Sequence, residues 1–341
     1  MKRLDEKLAR IRAGQYRRQD FIIADAKDPD MGPSMSWTGP KREPDGTWTR
    51  NRSRDEFLDQ IRAIVRQDIV DIMLMSASNT ERLCAEGLFA DSAVKPAIRA
   101  NDTTDIWRMR GTRYHEEPSR PFRSASLTRT MYGTTSPAPG AAITGTDLGL
   151  YSITFNHDID ADLESLEAFA EFRADAAECG FKYFLEVFNP NVDTGIDPEV
   201  LPHYINDNIM RCLAGVHTAD RPQFLKIAYN GPKALEELTS YDSSMIVGVL
   251  GGGAGTTRDC FELLHQAERY GARVALFGRK INLAEAPLAM IATMRQVVDG
   301  NLSPQEAVRA YHAELQKQSI RPQRTLEDDN EITEAPLKQQ R

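Results

Sequence analysis

Long apolar runs are missing from this chain of 341 residues. No stretch of about 18 consecutive hydrophobic residues occurs, so no helix is expected to cross a membrane. Cysteine is scarce: Cys84, Cys179, Cys212 and Cys260 are scattered and form no C-x-x-C pair. That pattern excludes a cysteine-built zinc site and reads as reduced, mostly buried thiols in a cytoplasmic protein. There are 6 histidines, and His157, His203, His217 and His265 show no H-x-H or H-x-x-x-H pairing. No metal centre is therefore expected. Positive charge is in deficit, with a net charge of −8. Nucleic-acid backbones need clustered Lys and Arg, so they are excluded as partners. A small phosphorylated ligand is not, because it needs only a few local donors. The opening residues MKRLDEKLARIRAG lack the apolar core of a signal peptide and have a helical pattern over about 2–13. The Walker and dinucleotide-binding spacings, with their flanking context, are absent as well.

What is present is an ordinary balance of 41% hydrophobic and 27% charged residues, enough for one large domain. Short apolar runs alternate with amphipathic stretches, as in a chain of βα units. The runs are Phe21 to Ala24, Ile69 to Met75, Val94 to Ile98, Leu148 to Phe155, Lys182 to Phe188, Phe224 to Ala228, Met245 to Leu250 and Arg273 to Phe277. Near-continuous hydrophobicity suits strands covered on both faces. Between them, Asp162 to Ala177 repeats Leu163, Leu166, Phe169 and Phe172 as one helical stripe. Further stripes run from Asp259 to Tyr270 and Leu283 to Val297. Ser303-Pro304-Gln305-Glu306 has capping-box spacing with Pro at the first helical position.

The fold class expected is therefore α/β: a single (β/α)8 TIM barrel spanning 1–318. Long loop insertions interrupt it after strand 1 (about 27–54) and between strands 3 and 4 (about 108–142). The second carries Arg108, Arg110, Arg113, Arg120, Arg123 and Arg129. Two readings are open for these insertions: loops over the catalytic face, or disordered or oligomer-contact segments. Residues 319–341 have no apolar period and read as a flexible polar tail.

Lys226, in Phe224-Leu225-Lys226-Ile227-Ala228, is the strongest chemical feature. A lysine inside an apolar strand is costly unless it is neutral, paired or functional. Burial favours the free amine that attacks a ketone. The alternatives are a lysine snorkelling from the strand end or a structural ion pair. Glu186, on the preceding strand, is placed to relay protons beside that amine or simply to neutralise it. Asp25 ends the first apolar run and lines the site or caps the following turn. Gly251-Gly252-Gly253-Ala254-Gly255 leads a strand into a helix, and Gly278-Arg279-Lys280 follows the eighth strand. Exposed amides there, with Arg279, make a phosphate cradle of the kind barrels build after strands 7 and 8. His157-Asp158, after strand 4, reads either as site-lining or as a hydrogen-bonded structural pair.

These segments together resemble the DeoC/LacD group of class I aldolases, above all the tagatose-1,6-bisphosphate aldolases, from about Tyr151 to Met290. Tyr183-Phe184-Leu185-Glu186 is similar to that family's fifth strand and Phe224-Leu225-Lys226-Ile227 to its Schiff-base strand. Pro202-His203 resembles the linking segment, and Gly278-Arg279 the strand-8 phosphate motif. The triple glycine at 251–253 is closer to the archaeal-type class I fructose-bisphosphate aldolases. The resemblance implies that Lys226 forms an imine, Glu186 is the acid/base partner, Asp25 the strand-1 aspartate and Arg279 a phosphate ligand. Lys27 stands where the family carries an arginine after Asp25, and Tyr151 lies near the place of its strand-4 lysine. The implied activity is reversible retro-aldol cleavage of a phosphorylated ketose or related keto acid, with no cofactor, in a homo-oligomer. A lysine-dependent acyl transferase or thiolase and a non-catalytic sugar-phosphate sensor are the competing expectations.

Overall fold

The structure, a computed structural model, describes residues 2–43, 45–253 and 255–339. Eight parallel strands close into a barrel: β1 (Ile22–Lys27), β2 (Ile72–Met75), β3 (Lys95–Arg99), β4 (Leu148–Thr154), β5 (Lys182–Phe188), β6 (Leu225–Ile227), β7 (Val247–Leu250) and β8 (Val274–Phe277). Neighbours follow chain order around the ring, and β8 pairs with β1 to close it. Each of the eight apolar runs read from the sequence supplies one strand. The chain is a (β/α)8 TIM barrel.

The helices are α1 (Arg3–Arg12), α2 (Arg54–Gln67), α3 (Ala77–Ala85), α4 (Leu127–Tyr132), α5 (Ile159–Cys179), α6 (Leu201–Ala214), α7 (Pro232–Tyr241), α8 (Thr257–Arg269), α9 (Arg279–Asn282), α10 (Pro287–Val298), α11 (Pro304–Lys317) and α12 (Leu326–Asp329). Local chemistry sets several of their starts. Ser53 with Glu56, Thr256 with Asp259, and Ser303 with Glu306 form capping boxes that satisfy first-turn amides. In α5 the stripe differs from the one read in the sequence. Phe169 and Phe172 are buried, but Leu163 and Leu166 face solvent at 53% and 37% exposure. The buried face runs through Ala161, Ser165, Phe169, Phe172 and Ala176, because small residues let the first turns pack closely.

Side-chain alternation divides each strand between two layers. The lumen holds Ile22 and Ala24, Ile72 and Leu74, Ala97, Leu148 and Leu150, Phe184, Phe224, Ile246, Val274 and Leu276. The other face of each strand packs under the helices. Leu4 and Leu8 of α1 join the lumen cluster, so this helix plugs the amino-terminal end of the barrel. It is fastened through Asp71, whose carboxylate accepts from Arg3 Nε at 2.8 Å, Lys7 Nζ at 2.9 Å and the Ile23 amide at 2.9 Å.

The first insertion and the start of the second lie over the carboxyl-terminal mouth, while the rest of the second runs down the flank along α5, pairing Arg123 with Asp175. The first contains a two-stranded ribbon, Pro40–Arg42 with Trp48–Asn51. It is held down where Asn282 Nδ2 donates to Trp37 O at 2.9 Å and Arg52 donates to Thr38 O and Asn282 O. The second pairs Asp102–Thr103 with Pro121–Phe122. Residues 320–339, within the stretch expected as a flexible polar tail, are laid along the barrel instead. Leu337 is buried, and Thr333 and Gln266 make hydrogen bonds that join this stretch to α8. Its anchors are polar groups and one leucine, so hydrophobic periodicity carries no signal of them.

Asp71 is fully buried with Lys7 beside it, and removing it leaves that lysine's charge without compensation. Asp71→Ala is expected to cost about 3–5 kcal/mol. Urea denaturation measures it, and a loss below about 1 kcal/mol would show that the plug is not held by this carboxylate.

Candidate active site

Phe184 of β5 and Phe224, beside it at the start of β6, stack in the lumen with ring centroids 4.6 Å apart and make an apolar floor. Two residues further along each strand the lumen turns polar. Register places Ser152 of β4, Glu186 of β5, Lys226 of β6 and Gly248 of β7 side by side. Lys226 Nζ forms an ion pair with Glu186 Oε1. Ser152 Oγ donates to Glu186 Oε2 at 2.7 Å, and Arg99 of β3 reaches the same oxygen at 3.6 Å. Arg99 also donates to Ser152 Oγ at 3.1 Å and to Asp28 Oδ2 at 2.7 Å. Asn101 fixes the backbone of Ser152 from both sides, accepting from its amide at 2.6 Å and donating to its carbonyl at 2.8 Å.

Burial works against the charge on Arg99, but Asp28, Glu186 and Asp102 around it more than offset that and hold it protonated. Asp102, buried beside it, is pushed up to about 6, chiefly by desolvation and against the pull of Arg99. These groups open into a cleft of about 300 Å³ at the barrel mouth. Lys226, Glu186 and Arg99 form its depth, while Asp28, Met31, Gly32 and Trp37 of the first insertion wall one side. Asp105, Ile106 and Arg108 wall another, and Gly251, Gly252, Gly278 and Arg279 form the end after β7 and β8. Glycine is required at Gly251, where a Cβ would stand 2.5 Å from the Phe277 ring and 2.9 Å from Leu276 O; at Gly278 a Cβ would be a tight fit, 3.0 Å from Ala26 O.

The residues read from the sequence therefore divide. Lys226, Glu186, Gly251, Gly252, Gly278 and Arg279 all border one cleft. Gly253 lies behind the loop and faces α8 instead. Ala254 falls outside the described residues. Asp25, Lys27 and Tyr151 do not reach the cleft. β1 continues past Asp25 to Lys27, so alternation turns Ala24 and Ala26 inward and sends both charged side chains to the helix layer. There they pair with each other at 3.6 Å, fully buried, with Lys27 Nζ 6.0 Å from the Phe57 ring. Tyr151 likewise points outward, its ring 5.2 Å and 4.4 Å from those of Phe169 and Phe172. Its neighbour Ser152 takes the lumen position. His157 sits outside the cleft with Nδ1 3.2 Å from Thr194 O, and Asp158 caps α5.

The sequence reading missed Asp28, Arg99 and Ser152, and named Arg108 only as one of six arginines in the second insertion. Arg99 carried a usable signal, a charged residue at the carboxyl-terminal end of a barrel strand. Of the Arg-rich insertion, Arg108 borders the cleft, whereas Arg113, Arg120 and Arg123 pair with Glu116, Glu164 and Asp175.

No family model and no curated protein matches this sequence. Among solved structures it is similar to an archaeal fructose 1,6-bisphosphate aldolase at 16% identity and a TM-score of 0.58, covering 87% of this chain and 99% of the other. A Schiff-base-forming fructose-1,6-bisphosphate aldolase aligns at 15% identity and TM-score 0.57, over 86% and 99% of the two chains. A protein of Corynebacterium glutamicum (Brevibacterium flavum) aligns at 16% and 0.56, over 88% and 98%. At these identities the likeness is one of fold.

The Asp25–Lys27 pair sits where neither charge is well solvated. Burial raises Asp25 to about 6 and lowers Lys27 to about 8. The raised Asp25 contributes stability below its unfolded value that is lost as pH climbs through about 6. The lowered Lys27 contributes stability above its unfolded value that is lost as pH falls through about 8. Near pH 7 both contributions are spent, so the double variant Asp25→Asn, Lys27→Met is expected to be at least as stable as the parent there. Lys27→Met alone should cost about 3 kcal/mol. Denaturant melts at pH 7 check this, and a double variant clearly less stable than the parent would show that the pair holds the fold together.

Proposed function

We propose that this chain is a class I aldolase that reversibly cleaves a phosphorylated ketose through an imine on Lys226. The observation that carries the reading is the Lys226–Glu186 pair in the polar layer above the apolar floor of the lumen, at the depth of the cleft. Arg99 and Ser152 also engage that carboxylate, so Glu186 stays held in place when Lys226 gives up its proton. The fold-level likeness to archaeal and Schiff-base-forming fructose-1,6-bisphosphate aldolases supports the same reading.

In this scheme Glu186 takes a proton from the Lys226 ammonium, and the free amine adds to the substrate carbonyl. Glu186 returns the proton to the carbinolamine hydroxyl, which leaves as water and gives the iminium. The carboxylate then removes the proton from the β-hydroxyl. The carbon–carbon bond breaks, its electron pair moves into the iminium as an enamine, and an aldehyde leaves. Glu186 protonates the enamine carbon, and water hydrolyses the new iminium to free Lys226. Ser152 and Arg99 hold Glu186 in line throughout. Amides at Gly251, Gly252 and Gly278, with Arg279, would take the phosphate, so that binding far from the reacting carbon is converted into orientation there.

Borohydride reduction with ketose mono- and bisphosphates and pyruvate, followed by peptide mass spectrometry, tests this. A substrate-sized adduct is expected on Lys226 and none in Lys226→Met. Glu186→Gln should lower kcat by about 10²- to 10⁴-fold. An unmodified Lys226 with every ketone, in a protein that a sugar phosphate still stabilises against heat, would sink the aldolase reading in favour of the sensor. Turnover that requires an acyl-CoA would favour the transferase.

A further inference from the structure

The carboxyl-terminal stretch engages the end of the barrel where an anion would bind. Asp329 accepts from the Thr257 amide, the first of α8, at 2.7 Å. Asp259 accepts from the Thr256 amide at 2.9 Å, and from the amide and hydroxyl of Thr333 at 2.7 and 2.5 Å. The amino-terminal donors of α8 are thus already used by the chain's own carboxylates. Glu334 extends the pattern to the glycine loop. Its carboxylate lies against the loop, where the nearby Gly253 amide and Arg279 favour its charged form. A Cβ built on Gly252 or on Gly253 would stand 3.2 Å from one of its oxygens. With Glu334 in place, the gap among Gly251, Gly255, Thr256 and Lys280 measures about 10 Å³, no more than one water.

The three carboxylates are not equally well held. Against the cost of burial, hydrogen bonds from Thr333, Thr256 and their neighbours hold Asp259 below the usual carboxylate range, and His312 and Thr257 hold Asp329 there, at about 2. Glu334 is raised by burial and by Asp259, with only the Gly253 amide and Arg279 in its favour. Arg279 is shared further, since it also donates to Gly252 O at 2.7 Å. Glu334 is therefore the weakest link of the stretch, and it lies beside Gly252 and Arg279, two of the groups a phosphate would need.

We propose that Glu334 is an internal anion that competes with the substrate's phosphate for the glycine loop and Arg279, so that phosphate binding releases the stretch carrying it. This rests on the phosphate end of the reading above. A dianion placed at the Gly251–Gly252 amides would face the Glu334 carboxylate across one loop, and like charges at that separation repel strongly in a partly buried site. Tethering gives the carboxylate a high effective concentration, so it sets the threshold a ligand must exceed. Linkage makes the effect mutual: what loosens the segment tightens phosphate, and phosphate loosens the segment.

The test is calorimetric titration of the full chain with inorganic phosphate, against chloride at matched ionic strength, for the parent, Glu334→Gln and Glu334→Ala. Glu334→Gln keeps the shape and an acceptor oxygen while removing the charge. Both variants should bind phosphate about fivefold or more tightly than the parent. In the unmodified chain, saturating phosphate should speed amide exchange over residues 329–339. Equal or weaker phosphate binding by the variants, or no phosphate binding by any of the three, overturns the proposal. Unchanged exchange over 329–339 overturns it too, and that measurement decides alone if the variants fold poorly. Phosphate heats do not depend on imine chemistry. Competition without a Lys226 adduct removes the aldolase reading only, and an adduct without competition removes this one only.

Discussion

Everything at the mouth of this barrel follows from the cost of holding charge in an aliphatic well. Moving a carboxylate or an ammonium group out of water costs several kcal/mol even after relaxation. The lumen here accepts two cations and two carboxylates because each is shared: Lys226 with Glu186, Glu186 with Ser152 and Arg99, and Arg99 with Asp28. Register puts Ser152, Glu186 and Lys226 on adjacent strands at one level, and Arg99 and Asp28 reach in from β3 and from the end of β1. A lumen of leucine and isoleucine would be easier to build. That charge is kept at this level, above a stacked phenylalanine floor, is the physical ground for reading the place as a site of chemistry.

The eight strands were legible because parallel barrel strands are covered on both faces and read as unbroken apolar runs. Lys226 and Glu186 were legible because each interrupts such a run. Phase was harder. Ending the first strand at Asp25 ignored that a buried charged pair can lie within a strand, and so Asp25 and Lys27 were sent to the cleft when alternation turns them away. Tyr151 failed for the same reason by one residue, with Ser152 holding the inward position. Arg99 and Asp28 act through each other across 71 positions of chain, a relation no local pattern carries.

The glycine-rich loop shows a second kind of blindness. Its sequence advertises free backbone donors, but it is silent about which acceptors the rest of the chain brings to them. Asp259, Asp329 and Glu334 come from a helix start and from a stretch that composition alone marks as unstructured. Polar segments can be ordered by a few charge-assisted hydrogen bonds to helix ends, without any apolar period.

The plug formed by α1 has a bearing on traffic. With Leu4 and Leu8 sealing the far end, the well has a single opening, and Lys226 stands near its bottom. In the proposed reaction the fragment tethered to Lys226 is the deeper of the two, so the architecture would let the outer one leave first.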